Sequence, residues 1–166
     1  MCLVAACSAL SRPLVATRGA VRAAASAVAP ECAVLDAIKA EISALVLKNN
    51  CGPILIRLSW HDAGVYSDGA LKGGCPNAAM RFTDGGEGTF GANAGLDLAI
   101  ALLADIQDAY RDVISHADLW ALASNVAIAD MGGPSIPTRF GRVDAQSSAE
   151  SVESQVGRLC RDRGVQ

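Results

Sequence analysis

GPILIRLSWHDAG, residues Gly52 to Gly64, is the stretch on which the reading of this chain turns. Pro53 suits a first helical turn, where its missing N–H would have had no partner, and a helix is expected over Ile54–Tyr66 before the glycine-rich stretch stops it. Arg57 and His61 stand four apart, so their side chains emerge one turn apart on one face, and Trp60, three after Arg57, flanks that face. A cation, an imidazole and an indole aimed together from a segment otherwise built of Ile and Leu is more polarity than packing asks for. Taken alone, the trio also has a plainer reading: a core aromatic with two surface residues.

The flanking sequence is helical in pattern. Upstream, Val34, Leu35, Ile38, Ile42, Leu45 and Val46 recur at helical spacing from Glu31 to Lys48, and Asn49, Asn50 and Gly52 punctuate them. Downstream, residues 67–91 hold seven glycines and Pro76, a loop longer than a simple connector needs. A third helix is expected from about Asn93 to Tyr110, with Leu96, Ile100, Leu103 and Ile106 on one stripe. A fourth is expected to be capped by Ser115, with Asp118 in its first turn, and to run to the Gly132–Gly133 break. The fold class is therefore all-α, with about four main helices and one long Gly-rich loop. From Ala145 to Gln166 no periodicity remains, and this tail is expected to be irregular.

Composition narrows the function. With 51% apolar and 19% charged residues, the 166-residue chain has ample material for one core. A net charge of −3 without a basic cluster argues against nucleic acid or an anionic membrane as a partner, and no apolar run is long enough to span a bilayer. Residues 1–30 contain Arg12, Arg18 and Arg22 and no acid, which leaves −6 on the remainder. An acid-free, Ala- and Ser-rich leader with spaced arginines has the composition of a transit peptide, with a plastid as first destination and a mitochondrion as second. The six cysteines include no CxxC pair and no histidine at zinc-ligand spacing, so they read as reduced thiols.

The order of residues in Gly52–Gly64 resembles the distal-site signature of the plant, fungal and bacterial haem peroxidases: Gly52, Ile56, Arg57, Leu58, Trp60, His61 and Ala63 fill its places. Trp60 in the aromatic position resembles the intracellular class, which includes ascorbate and cytochrome c peroxidases. The resemblance continues through GGCPNAAMRF (Gly73–Phe82), GANAGLDLAIALL (Gly91–Leu103), ISHADLWALAS (Ile114–Ser124) and GGPSIPTRFGRVD (Gly132–Asp144), with GANAGL and GRVD most like plastid ascorbate peroxidases. It covers residues 31–144, roughly the first, distal half of the family's catalytic domain.

What the resemblance implies is a hydrogen peroxide-reducing enzyme with haem b as cofactor and a small-molecule electron donor, ascorbate first among them. His61 would carry a proton between the two peroxide oxygens, Asn93 would accept from its near N–H, and Arg57 would stabilise the charge on the departing oxygen. Trp60 would lie over the haem plane with Arg57 beside it, and Pro137 resembles a haem-contacting proline. Cys51 stands where ascorbate peroxidases carry a cysteine near the donor pocket, although the lysine two residues earlier in that pocket is Asn49 here, and a helix-junction thiol is the competing reading.

The family's iron-binding histidine, in LSGxHTxG beyond the GRVD block, has no counterpart within these residues, and no residue is assigned as iron ligand. His116, the second of two histidines, is expected near a helix start at the surface. After VGRL (Val156–Leu159) the resemblance stops. Two functions remain open at this point: a haem peroxidase whose other half is encoded downstream, and a non-catalytic haem-binding or interaction module that keeps the distal half alone.

Overall fold

In the computed structural model, residues 32–64 and 76–151 are described. The leader, residues 65–75 of the glycine-rich loop and the tail beyond 151 lie outside the described residues, and so do the expectations attached to them. The rest is all-α: α1 (Cys32–Asn49), α2 (Gly52–Ala63), α3 (Leu96–Tyr110) and α4 (His116–Asp130), with no strand among the described residues.

Each helix buries the stripe its spacing sets up. Ile38, Ile42 and Val46, at four-residue intervals on α1, are buried, as are Leu55 and Leu58 on α2, Leu96, Ala99, Leu103 and Ile106 on α3, and Leu119, Trp120, Leu122 and Ala123 on α4. They form one core, in which α2 lies chiefly against α4. Each large aliphatic fully buried there contributes about 1.5–3 kcal/mol relative to exposure. Asn50 turns the chain between α1 and α2 with φ 50°, a left-handed conformation that asparagine tolerates better than most residues.

Boundaries differ from the sequence expectations where local chemistry intervenes. α2 starts before Pro53, because the Leu55 amide already bonds the Cys51 carbonyl at 3.2 Å. α3 starts at Leu96 rather than Asn93, because Gly91–Asn93 forms a separate 3-10 turn. Ser115 caps α4 as expected, its Oγ accepting from the Asp118 amide at 3.1 Å.

The segment from residue 76 to α3 folds as three short 3-10 turns, Ala79–Arg81, Gly86–Thr89 and Gly91–Asn93. Its ties are polar and come from distant parts of the chain. The Ala78 amide donates to the Asp62 carboxylate on α2, the Ala145 amide to the Asn77 carbonyl at 2.8 Å, and the Arg81 guanidinium to the carbonyls of Ala78 and Ala145. The Glu87 amide donates to Ser151 Oγ at 3.0 Å. Residues 145–151, expected to be irregular, are thus docked onto this segment, with Ala145 buried and Ser148–Glu150 in a 3-10 turn. Each of these bonds has a backbone group on at least one side, so no periodicity announced them.

The GRVD block is held to the start of α4 by two carboxylates. Asp118 accepts from the Gly141 amide (2.7 Å), the Arg142 amide and Arg142 Nη1 (2.7 Å). Asp144 accepts from the amides of His116 and Ala117, two of the donors that a helix start leaves without intrahelical partners, and from His116 Nδ1 at 2.9 Å. Gly141 adopts φ 113°, which a residue with a Cβ rarely reaches, and so presents its amide to Asp118. No helix among the described residues is long and apolar enough to cross a membrane.

Candidate functional site

Two stripes divide α2. Leu55, Leu58 and Asp62 face the core, while Pro53, Ile56, Arg57 and Trp60 lie on the opposite, solvent-facing side. Trp60 is 43% exposed, a large apolar surface left open by the described residues, and its ring meets that of His61 edge to face, 4.8 Å between centroids at 73°. His61, at the boundary between the stripes, is 7% exposed.

The 3-10 turn Gly91–Asn93 brings the second layer to these residues. His61 Nδ1 lies 2.7 Å from Asn93 Oδ1, and Asn93 Nδ2 donates to the Glu87 carbonyl at 2.8 Å. The second bond fixes the orientation of the amide: the Glu87 carbonyl can only accept, so the nitrogen must face it and the oxygen must face His61. In the neutral imidazole, Nδ1 therefore carries the proton and Nε2 the lone pair. Arg57 grips the same turn, Nη2 donating to the Ala92 carbonyl at 2.8 Å and Nη1 to the Ala94 carbonyl at 3.1 Å. Two of five guanidinium N–H groups are used this way, which positions the cation while leaving its remaining donors.

The structure thus brings Arg57, Trp60, His61 and Asn93 together. Pro137 and Cys51 are placed elsewhere. Pro137 lines a cavity of about 290 Å3 with Ser59, Asn125 and Thr138, and none of the four residues above takes part in that lining. Cys51 is buried at the α1–α2 junction with its thiol toward the Leu45 carbonyl at 3.7 Å, and burial pushes its pKa up, only partly offset by a bond from its own backbone amide. Burial and a raised pKa are features of an unreactive thiol. His116 opens α4, partly exposed, and is tied to Asp144. Burial works against the Asp144 charge, but the bonds from the His116 ring and the Ala117 and His116 amides outweigh it and hold the carboxyl below its ordinary pKa.

Two residues of this neighbourhood went unmarked in the sequence. Asp62 is buried, with both carboxylate oxygens on the Ala78 amide at 3.0 and 3.2 Å; burial, only partly offset by that bond, raises its pKa to about 7. Its place four and seven residues after Leu58 and Leu55 allots it to the core stripe, a signal the sequence did contain. Glu87 is buried beside the turn that holds Asn93. Nothing in its glycine-rich context marks it.

The described residues are helical, with Arg57, Trp60, His61 and Asn93 gathered where α2 meets the Gly91–Asn93 turn. The family model for peroxidase matches residues 34–159, and the chain belongs to that family. It is 42% identical over 141 residues, 80% of its length, to L-ascorbate peroxidase T, chloroplastic, of Arabidopsis thaliana. It is 40% identical over 114 residues (69%) to L-ascorbate peroxidase 5, peroxisomal, of the same plant, and 41% identical over 112 residues (68%) to the mitochondrial cytochrome c peroxidase of Aspergillus fumigatus. The chain spans 32%, 39% and 30% of these three relatives.

Proposed function

We propose that this chain supplies the peroxide-handling side of a haem peroxidase that reduces hydrogen peroxide in a plastid, with ascorbate as the first donor to test. The observation that carries the reading is the relay His61–Asn93–Glu87 carbonyl, which leaves His61 Nε2 as the basic nitrogen.

The residues present fit a haem. The exposed indole of Trp60, with Pro53 and Ile56 along the same side of α2, offers an apolar surface to a flat macrocycle, and the polar groups bordering it are an imidazole and a guanidinium rather than acids. Haem, when bound, supplies the redox chemistry that breaks the O–O bond. His61 Nε2 takes the proton from one peroxide oxygen and delivers it to the other, so that the second leaves as water. Asn93 keeps Nδ1 protonated throughout and holds the ring still. The remaining N–H groups of Arg57 meet the negative charge that grows on the leaving oxygen; because the Ala92 and Ala94 carbonyls already fix the guanidinium, little reorganisation is needed when that charge appears. Pro137 has no part in this proposal. The plastid assignment rests on the acid-free leader and on the chloroplastic name of one relative.

A graft tests the reading. Residues 34–159 replace the matching stretch of L-ascorbate peroxidase T, and peroxide-dependent oxidation of ascorbate is assayed. Turnover well above that of free haem is expected. A folded, haem-loaded graft with no turnover would refute it.

A further inference from the structure

The cavity beside Pro137 is lined by groups that the peroxide chemistry leaves unused. It lies between α2, α4 and the extended segment that leads to Asp144, and its polar lining comes from Ser59, Asn125, Thr138, Arg139 and Arg142. Two guanidiniums stand there against one carboxylate. Arg142 is paired with Asp118, whereas Arg139 is exposed and has no acid within ion-pair distance among the described residues. The Arg142 fork is held by one corner: Nη1 donates to Asp118 and to the Arg139 carbonyl, and neither bond uses Nη2 or Nε. Asn125 Nδ2 donates to Thr138 Oγ1 at 2.8 Å, so the Thr138 hydroxyl has its own hydrogen to give elsewhere, and Ser59 adds a second hydroxyl.

Donors therefore predominate, the local charge is positive, and one of the two cations is positioned before any ligand arrives, which lowers the ordering cost of binding. We propose that this cavity binds a small molecule through an oxyanion group, a carboxylate or a phosphate, gripped by Arg139 and Arg142 with the Thr138 and Ser59 hydroxyls at its edge. A volume of about 290 Å3 is at the small end of ligand sites but exceeds what a bare oxyanion needs, so the ligand carries a body of a few heavy atoms. Arg57, Trp60, His61 and Asn93 do not line the cavity, and its occupation is independent of the peroxide reading.

The test is calorimetric titration of the full chain, at fixed ionic strength, with inorganic phosphate and separately with malonate. Saturable binding of at least one is expected, with phosphate alone pointing to a phosphate ligand and malonate alone to a carboxylate. Arg139→Gln, at an exposed side chain that makes no hydrogen bond or ion pair among the described residues, should weaken it by about tenfold or more. Thr138→Val should weaken it less, and Arg111→Gln, at the exposed end of α3, should leave it unchanged. No saturable binding of either probe, or equal affinity in the wild type and Arg139→Gln, would overturn the proposal.

Discussion

His61 and Arg57 are both anchored to the turn Gly91–Asn93, one through the Asn93 side chain and the other through the carbonyls of Ala92 and Ala94. A single turn thus sets the orientation of the base and the position of the cation. Geometry then matters as much as charge at residue 57. In the graft, Arg57→Leu should slow the reaction with peroxide by on the order of 10²-fold, as for loss of a preorganised donor, and Arg57→Lys should fall between the two, since an ammonium cannot span both carbonyls and still reach the leaving oxygen. Equal rates in Arg, Lys and Leu proteins, measured by rapid mixing, would remove Arg57 from the mechanism. The sequence marked Arg57, Trp60, His61 and Asn93 because motif order ties residue type to place. It could not mark the Glu87 carbonyl, whose role belongs to the backbone and is independent of the side chain.

At the scale of elements, the helices were legible because apolar spacing is a local property, and their ends were less so because caps and turns depend on single bonds. α3 shows the difference: the stripe from Leu96 was plain, but the Gly91–Asn93 turn that delays the helix was not. The segment from 76 to 93 was least legible, for its ties run to Asp62, Ala145 and Ser151. Gly88 illustrates how tightly that segment is built. A Cβ there would lie 1.8 Å from the Phe82 carbonyl oxygen and 2.9 Å from that of Met80, both backbone atoms. Gly88→Ala should destabilise the protein by about 2 kcal/mol or more, because the overpacking cannot be relieved by turning a side chain. The shift in denaturant midpoint measures it, and an unchanged midpoint would show that the segment yields more easily than its contacts indicate.

For the whole molecule, the contact between Asp62 and the Ala78 amide joins the core of α2 to the segment that carries Asn93, and it makes stability depend on pH. Burial raises the Asp62 pKa from 3.8 to about 7, so the folded protein holds a proton that the unfolded chain releases at lower pH. Between these values the unfolded state binds fewer protons, and the Asp62 contribution to unfolding free energy falls as pH rises, by at most about 1.4 kcal/mol per pH unit. Asp144, with its lowered pKa, acts in the opposite sense and only below the ordinary carboxylate range. Asp62→Asn keeps an acceptor for Ala78 without the charge, so relative to wild type it should gain stability from pH 5 to pH 8. Urea midpoints at the two values give the answer, and an equal difference at both would contradict the buried-proton account.

The central claim is that His61 Nε2, kept basic by Asn93, moves the peroxide proton. Stopped-flow mixing of the haem-loaded graft with hydrogen peroxide tests it most directly. His61→Leu should react on the order of 10²-fold or more slowly than the wild-type graft while retaining its haem. A His61→Leu graft that retained haem and reacted at the wild-type rate would contradict the account.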